Sequence, residues 1–532
     1  MLYTHQPRRG DERPGTSAAL AIALVVLLAG AVAPGAIAAQ DSPPPLYDNL
    51  GSLHVTVSTS VPEAQEYFDQ GMRLYYAFNH AEAIRAFNHA EALDPTCALC
   101  PWGEALARGP NINLPMDAAN AVAARAAIER AQALRAQATE REAALIDALS
   151  VRYSTHPVDN RAPLDSAYAS AMGKLVERYP EDDEIAVLHA EALMDLRPWD
   201  YWLTPDELEP SIDAAVRALD AVRQRNPDHP GACHFFIHAV EENQPERAVP
   251  CAEHLAGMMP GAGHLVHMPG HIYIRVGRYA EAIEANRHAV HADETYIRDQ
   301  RPGAGMYTVG YYPHNYDFMA FAALMAGDEA TAIDAADRMV DLIPAEMFGT
   351  PGLGFLEHWA TRHLQVRVRF GRWDEILATP APAAALPHAR AVWHYARGRA
   401  FAARGQADAA KTELRGLRME MARPELADLR LEFNPARMVL SIAEDVLAGW
   451  TALADGRPDE AVGHLEDAVE HEAALVYGEP PEWTVPVRQE LGAVLLRAGR
   501  DTEAGEVFQA DLDRFPRNAW SERGLVDAGG AR

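Results

Sequence analysis

Apolar side chains recur along this chain three and four residues apart, in long blocks separated by short polar segments. That spacing turns one face of each block toward a core and is the period of a helix, not the two-residue alternation of a strand. Ala, Leu, Glu and Arg dominate, and runs of Val, Ile and Thr are nearly absent, which also favours helices throughout. The pattern predicts helices near 117–135, 139–153, 164–178, 183–195, 207–224, 229–242, 246–257, 308–325, 328–341, 355–370, 388–403 and 406–420. Gly109-Pro110, Asn226-Pro227, Pro302-Gly303, Pro351-Gly352, Pro380 with Pro382, and Pro480-Pro481 punctuate the loops.

Small residues and aromatics repeat on a longer period. In 64–95 the series is Tyr67, Gly71, Ala83, Phe87, Ala90, Pro95, and in 485–516 it is Gly492, Ala504, Phe508, Pro516. Residues 442–473 carry Gly449, Ala461 and Ala468, and 263–294 carry Gly270, Tyr273, Ala282 and Ala289. This is the tetratricopeptide (TPR) pattern, in which small residues let two helices approach and an aromatic fills the space between repeats. A chain of 532 residues exceeds one compact core but suits an extended array. The predicted fold class is all-α: a TPR-like α-solenoid, a superhelix of antiparallel helix pairs with one continuous core. It is expected to span 63–520, after a linker or docked arm at 39–62 and before a tail at 521–532.

Within this frame 264–276 is the first helix of a pair, and 229–242 and 308–325 are the first helices of its neighbours. In such arrays the first helices line the concave surface. The three helices carry His234, His238 and Glu241; His264, His267 and His271; and His314 with Asp317. Spacings of three and four keep each set on one face. Inward imidazoles and carboxylates from facing helices are how helical proteins hold metals. The eight residues make 229–318 a candidate metal site, enough for one crowded ion or two adjacent ones. Imidazole with carboxylate and no thiolate suits a divalent transition metal (iron, copper or zinc). Pro269 should kink the middle helix and re-aim its histidines. A polar groove for an acidic ligand or for proton transfer is the competing reading. Most of the 22 histidines, including His80, His89, His288, His291 and His464, read as ordinary packed or surface residues.

Other groove candidates are Tyr75, Tyr76, Asn79, Asn111 and Asn113 at one end, Tyr307, Tyr311 and Tyr312 beside His314, and Trp393, His394 and Tyr395 on a later helix. All of these are also ordinary core or groove-wall residues. Arg275 and Arg278 read as solvated helix-end arginines or as carboxylate anchors.

The formal net charge of -29 lacks the basic footprint that nucleic acid requires. Arg8, Arg9 and Arg13, an apolar run over about 18–33 and the small-x-small motif Ala36-Ile37-Ala38 predict a signal peptide at 1–38. Export to the periplasm or beyond is therefore expected, with a membrane contact only if that segment stays uncleaved as an anchor. Four cysteines are too few for a disulfide framework. Cys97-x-x-Cys100 fits a local disulfide, a ligand pair or free thiols, and Cys233 and Cys251 could bridge neighbouring helices.

Nearly end to end, the chain resembles a family of exported bacterial TPR proteins. The segments that carry the resemblance are FDQGMRLYYAFNHAEAIRAFNHAEALDPTCALCPWGEALARGPNINLPM, CHFFIHAVE, PGAGHLVHMPGHIYIRVGRY, YYPHNYDF, RFGRWDEIL with WHYARGRAF, and EPPEWTVPVRQELGAVLL. The resemblance implies that His234, His238, Glu241, His264, His267, His271 and His314 match the family's histidine-rich motifs. At Asp317 the family pattern often has histidine. It implies the repeat fold and no assigned reaction.

Three functions fit these residues: a metal-dependent enzyme, a TPR scaffold for a peptide or protein partner with a structural metal or none, and a carrier of metal ions. A small-molecule substrate or a peptide would sit in the concave groove. No residue is singled out as catalytic. GxSxG, P-loop, HExxH and dinucleotide fingerprints are absent from the sequence.

Overall fold

A computed structural model describes residues 43–530 apart from 157 and 159; the expected signal peptide lies outside the described residues. From Pro62 onward the chain is a succession of antiparallel helix pairs, a TPR-like α-solenoid. The first pair is Pro62–Tyr76 with His80–Leu93, followed by Leu99–Ala107 with Ala118–Leu134. The pairs that matter for the site are Pro230–Val240 with Val249–Met258, the split helix Gly263–His267 and Pro269–Arg275 with Tyr279–Gln300, and Tyr312–Ala326 with Glu329–Leu342. The last full pair is Val487–Arg497 with Asp501–Arg514.

The repeat spacing has a direct steric cause. A methyl added at Gly71 would lie 2.5 Å from the Phe87 ring, and one at Gly103 would meet the same ring at 2.5 Å. Phe87 thus fills the space between two successive first helices, and only glycine leaves room for it. Phe508 stands likewise between Gly492 and Gly524. Gly524 belongs to Ala519–Gly530. Of the residues 521–532 expected as a tail, 521–530 therefore contribute most of a further first helix that covers the end of the array. Ser521 N–H donates to Asn518 Oδ1 at its start.

Three local departures from the expected helices have local reasons. The helix expected at 207–224 starts at Pro210, where Glu209 caps it, because Trp202–Thr204 and Glu207–Leu208 form a short antiparallel hairpin. The helix expected at 355–370 is two, Gly354–Trp359 and Arg362–Arg369; Thr361 turns its hydroxyl onto His358 O at 2.7 Å in the break. At 307–311 the chain makes one π-helical turn before Tyr312–Ala326, a widening of the helix common at functional sites.

The arm at 43–61 is docked. Tyr67 O–H donates to Pro44 O at 2.9 Å, and His54 Nδ1 meets Asp69 Oδ2 at 2.7 Å. The apolar interior falls into two clusters rather than one, the first running from Leu50 to Val366 and the second from Leu364 to Phe508. The C-terminal part nevertheless folds back, since Val485 and Phe515 belong to the first cluster. Trp520 Nε1–H donates to Leu324 O at 2.7 Å, and Arg517 donates to Val276 O at 2.5 Å. Both cysteine pairs are disulfides, Cys97–Cys100 and Cys233–Cys251.

Candidate metal site

Six histidines meet in the interior where these helices cross. Pro230–Val240 supplies His234 and His238, with Glu241 at its end. Pro269 has no backbone N–H to continue the ladder, so the next helix breaks into Gly263–His267 and Pro269–Arg275. The break directs His264, His267 and His271 into the same space. His314, from Tyr312–Ala326, completes the group. All but His314 are buried, and Glu241 is fully so.

Four of the rings have a polar neighbour on one side. His234 Nδ1–H donates to Tyr76 O at 2.8 Å. That carbonyl ends the first helix, just before Phe78 takes a left-handed φ of 55°. His267 Nδ1–H donates to Asn286 Oδ1 at 2.8 Å, and the Asn286 amide donates onward to Ala282 O. His271 Nδ1 lies 2.9 Å from Glu241 Oε2 and 3.4 Å from Glu479 Oε2. His238 Nδ1 is 3.5 Å from Glu241 Oε1. Backbone carbonyl, amide and carboxylate partners of this kind set the tautomer of metal-binding histidines.

The opposite nitrogens face one another. His267 Nε2 and His271 Nε2 are 2.8 Å apart, and His264 Nε2 and His234 Nε2 are 3.1 Å apart. Because the Nδ1 atoms of His234 and His267 are committed as donors, their Nε2 atoms present lone pairs. His264 Nδ1 and both nitrogens of His238 complete no hydrogen bond within the protein, and neither do the two oxygens of Glu241, despite their close approach to His271. Buried polar atoms of this kind need a water, an ion or another partner. Three sets of donor atoms lie within 4.8 Å of one another: His234/His238/His264, His267/His271/His314 and His238/Glu241/His271. The residues fit a transition-metal ion.

Electrostatics point the same way. Burial drives His234, His264 and His267 well below the ordinary histidine range, helped by neighbouring imidazoles. Burial also lowers His238, against the pull of Glu241, and takes His314 to about 3. These five rings are neutral, the form that binds metals. For His271 burial is outweighed by Glu241 and Glu479, which raise it to about 9. Burial would raise Glu241 in turn, but His271 and His238 overcome it and hold the carboxylate at about 2.

Of the residues expected here, Asp317 is not brought to the cluster. Its carboxylate pairs with the buried Arg362, with Nε to Oδ1 at 2.7 Å and Nη2 to Oδ2 at 2.8 Å. That guanidinium is its counter-charge. Tyr311 packs on His264 with ring centroids 4.8 Å apart and takes a hydrogen bond from Asn113. Tyr307 bonds Asp293 instead, Tyr75 bonds Glu191, and Tyr312 bonds Glu294. His394 pairs with Glu413, remote from the cluster in the chain. Arg275 donates to Glu242 O and approaches Glu479, while Arg278 pairs with Glu253 and Glu281.

Asn286, Glu479, Phe78 and Trp199 escaped the sequence reading. Phe78 stacks on His264 at 5.1 Å, and Trp199 packs edge-on to His238 at 5.2 Å. Both have left-handed φ, a strained state for a bulky residue. Asn286 did leave a signal. It occupies the offset from Gly270 at which Phe87 follows Gly71 and Phe508 follows Gly492, so a polar amide replaces the repeat's aromatic. Glu479 left none, since only the fold brings it beside His271.

No protein-family model and no curated protein sequence matches the chain. Among solved structures it is similar to the TPR domain of P58(IPK), at 11% identity over 88% of this chain and 97% of that one, with a TM-score of 0.23. It is similar to the APC/C hetero-tetramer Cut9-Hcn1, at 12% identity over 87% and 76%, with a TM-score of 0.30. Yeast Tom70 follows at 12% identity over 88% and 95%, with a TM-score of 0.29. The repeat fold is set by the glycine–aromatic packing of this chain.

Proposed function

We propose that this chain is an exported TPR-like protein that binds a divalent transition metal (iron, copper or zinc) through the buried histidines 234, 238, 264, 267, 271 and 314. The observation that carries the reading is the pairing of anchored outer nitrogens with facing or orphaned inner ones. Packing alone would not leave both nitrogens of His238 buried and unpartnered, because each costs about 1–3 kcal/mol in desolvation. An ion supplies the missing partner for one of these nitrogens, and Glu241 lies 3.5 Å from the other, Nδ1. Burial among protein ligands favours a held ion over one exposed to the groove. Export is supported by the basic and apolar N-terminal segment and by the engagement of all four cysteines in disulfides.

Elemental analysis tests the reading. Mature protein, purified without an affinity histidine tag and dialysed, should retain about one or two equivalents of iron, copper or zinc, and His238→Ala/His267→Ala should retain none. Protein that stays metal-free after reconstitution would refute it. The groove would then be read as a site for a peptide or protein partner.

A further inference from the structure

We infer that the site holds two metal ions, one in each of two histidine triads, and that Glu241 is the carboxylate that orients a histidine of both. This inference rests on the metal-binding reading above and specifies its stoichiometry and the role of its carboxylate.

The six imidazoles divide without remainder. His234, His238 and His264 form one set of donor atoms within 4.8 Å, and His267, His271 and His314 form another that shares no residue with it; the third set, His238, Glu241 and His271, takes one histidine from each. Three imidazoles are a full protein complement for a four-coordinate ion that keeps one further ligand. Six would overfill one such ion. The triads adjoin along their length, with ring centroids of His238 and His271 5.1 Å apart and those of His264 and His267 5.7 Å apart. Imidazoles without thiolate select zinc, copper, cobalt, nickel or iron over calcium and magnesium.

Glu241 stands between the triads with one oxygen for each. Its Oε1 lies 3.5 Å from His238 Nδ1, and its Oε2 lies 2.9 Å from His271 Nδ1. The Nε2 of His271 already faces His267 Nε2. The metal side of that ring is therefore Nε2, and its Nδ1 side belongs to the carboxylate. The same orientation applied to His238 turns its Nε2 toward His234 and His264. Glu241 is then a positioning residue, the shared outer member of two carboxylate–histidine–metal arrangements, rather than a ligand. Glu479, 3.4 Å from His271 Nδ1, supports one triad only.

Stripped full-length protein should be titrated with Co2+, followed by its visible absorption, and with Zn2+ by calorimetry. Two equivalents of each are expected. One equivalent would overturn the two-ion inference while leaving the metal-binding reading intact, and none would overturn both. His264→Ala and His314→Ala should each bind one equivalent with an unchanged circular dichroism spectrum. Retention of two by either folded variant would overturn the assignment of its triad. Glu241→Gln should keep two ions but bind both about 10–100-fold more weakly. Weakening at one ion alone, or outright loss of an ion, would overturn the shared role. Should Glu241→Gln not fold, X-ray absorption of the zinc-loaded wild-type protein decides the ligand set. About three imidazoles per zinc is the expected result, and about six imidazoles around a single zinc would contradict the inference.

Discussion

His267 presents Nε2 to His271 Nε2 at 2.8 Å while Asn286 Oδ1 holds its Nδ1 at 2.8 Å. The amide decides which nitrogen of His267 carries the proton, and so which is free for a metal. Asn286→Ala should therefore weaken metal binding about 10–100-fold, as loss of an outer partner typically does, with little change in helix content. Competition against a chelator measures this. Equal affinity in the variant would show that the amide does not orient the ring.

Glycines of the repeat separate packing from binding. A methyl at Gly270 would lie 2.7 Å from Asn286 Nδ2, so Gly270→Ala should displace the amide and weaken metal binding. A methyl at Gly71 would press on Phe87, whose ring packs against Phe68. Gly71→Ala should cost about 1–3 kcal/mol by overpacking and leave metal content unchanged. Denaturant melts and metal analysis of the two variants should show opposite profiles.

Asp317 and Arg362 form a buried pair beside, not within, the cluster. Asp317→Ala leaves the guanidinium without its counter-charge and should lower stability by about 3–5 kcal/mol. The folded variant should retain the wild-type metal content. Its loss at a temperature where circular dichroism shows a folded protein would restore Asp317 to the ligand set.

The Cys233–Cys251 disulfide ties the helix that carries His234 and His238 to its partner helix. Closing a loop of this size is worth about 3 kcal/mol. Cys233→Ser/Cys251→Ser should lower the melting temperature. Because the unlinked helix holds its histidines less firmly, added zinc should raise the melting temperature less than it does in the wild-type protein.

Asp293 gives a pH signature. Burial raises its carboxyl to about 7, against hydrogen bonds from Tyr307 at 2.5 Å and Asn315 at 2.7 Å. An unfolded aspartate titrates near 3.9, so the folded state holds the proton more tightly. The resulting stabilisation is complete below about pH 4 and is lost as pH rises through about 7. The unfolding free energy of the wild-type protein should therefore fall, relative to Asp293→Asn, between about pH 4 and 7. A parallel pair of curves would contradict this placement of the proton.

The sequence by itself determined the helices, the repeat and the clustering of histidines. Helical periodicity is local, and the Gly71–Phe87 and Gly492–Phe508 spacing states a steric requirement that any such pair of helices must meet. His234, His238, His264, His267, His271 and His314 were legible for the same reason, since they sit at fixed positions on adjacent first helices. Tertiary structure alone decided the rest. Whether Asp317 faced a metal depended on Arg362, and whether Glu479 reached His271 depended on how the superhelix returns on itself. Long-range pairings of charge follow from the path of the whole chain, which no local period encodes. Asn286 lies between the two cases: its break with the repeat's aromatic was visible in the chain, but its purpose emerged only when His267 was found against it.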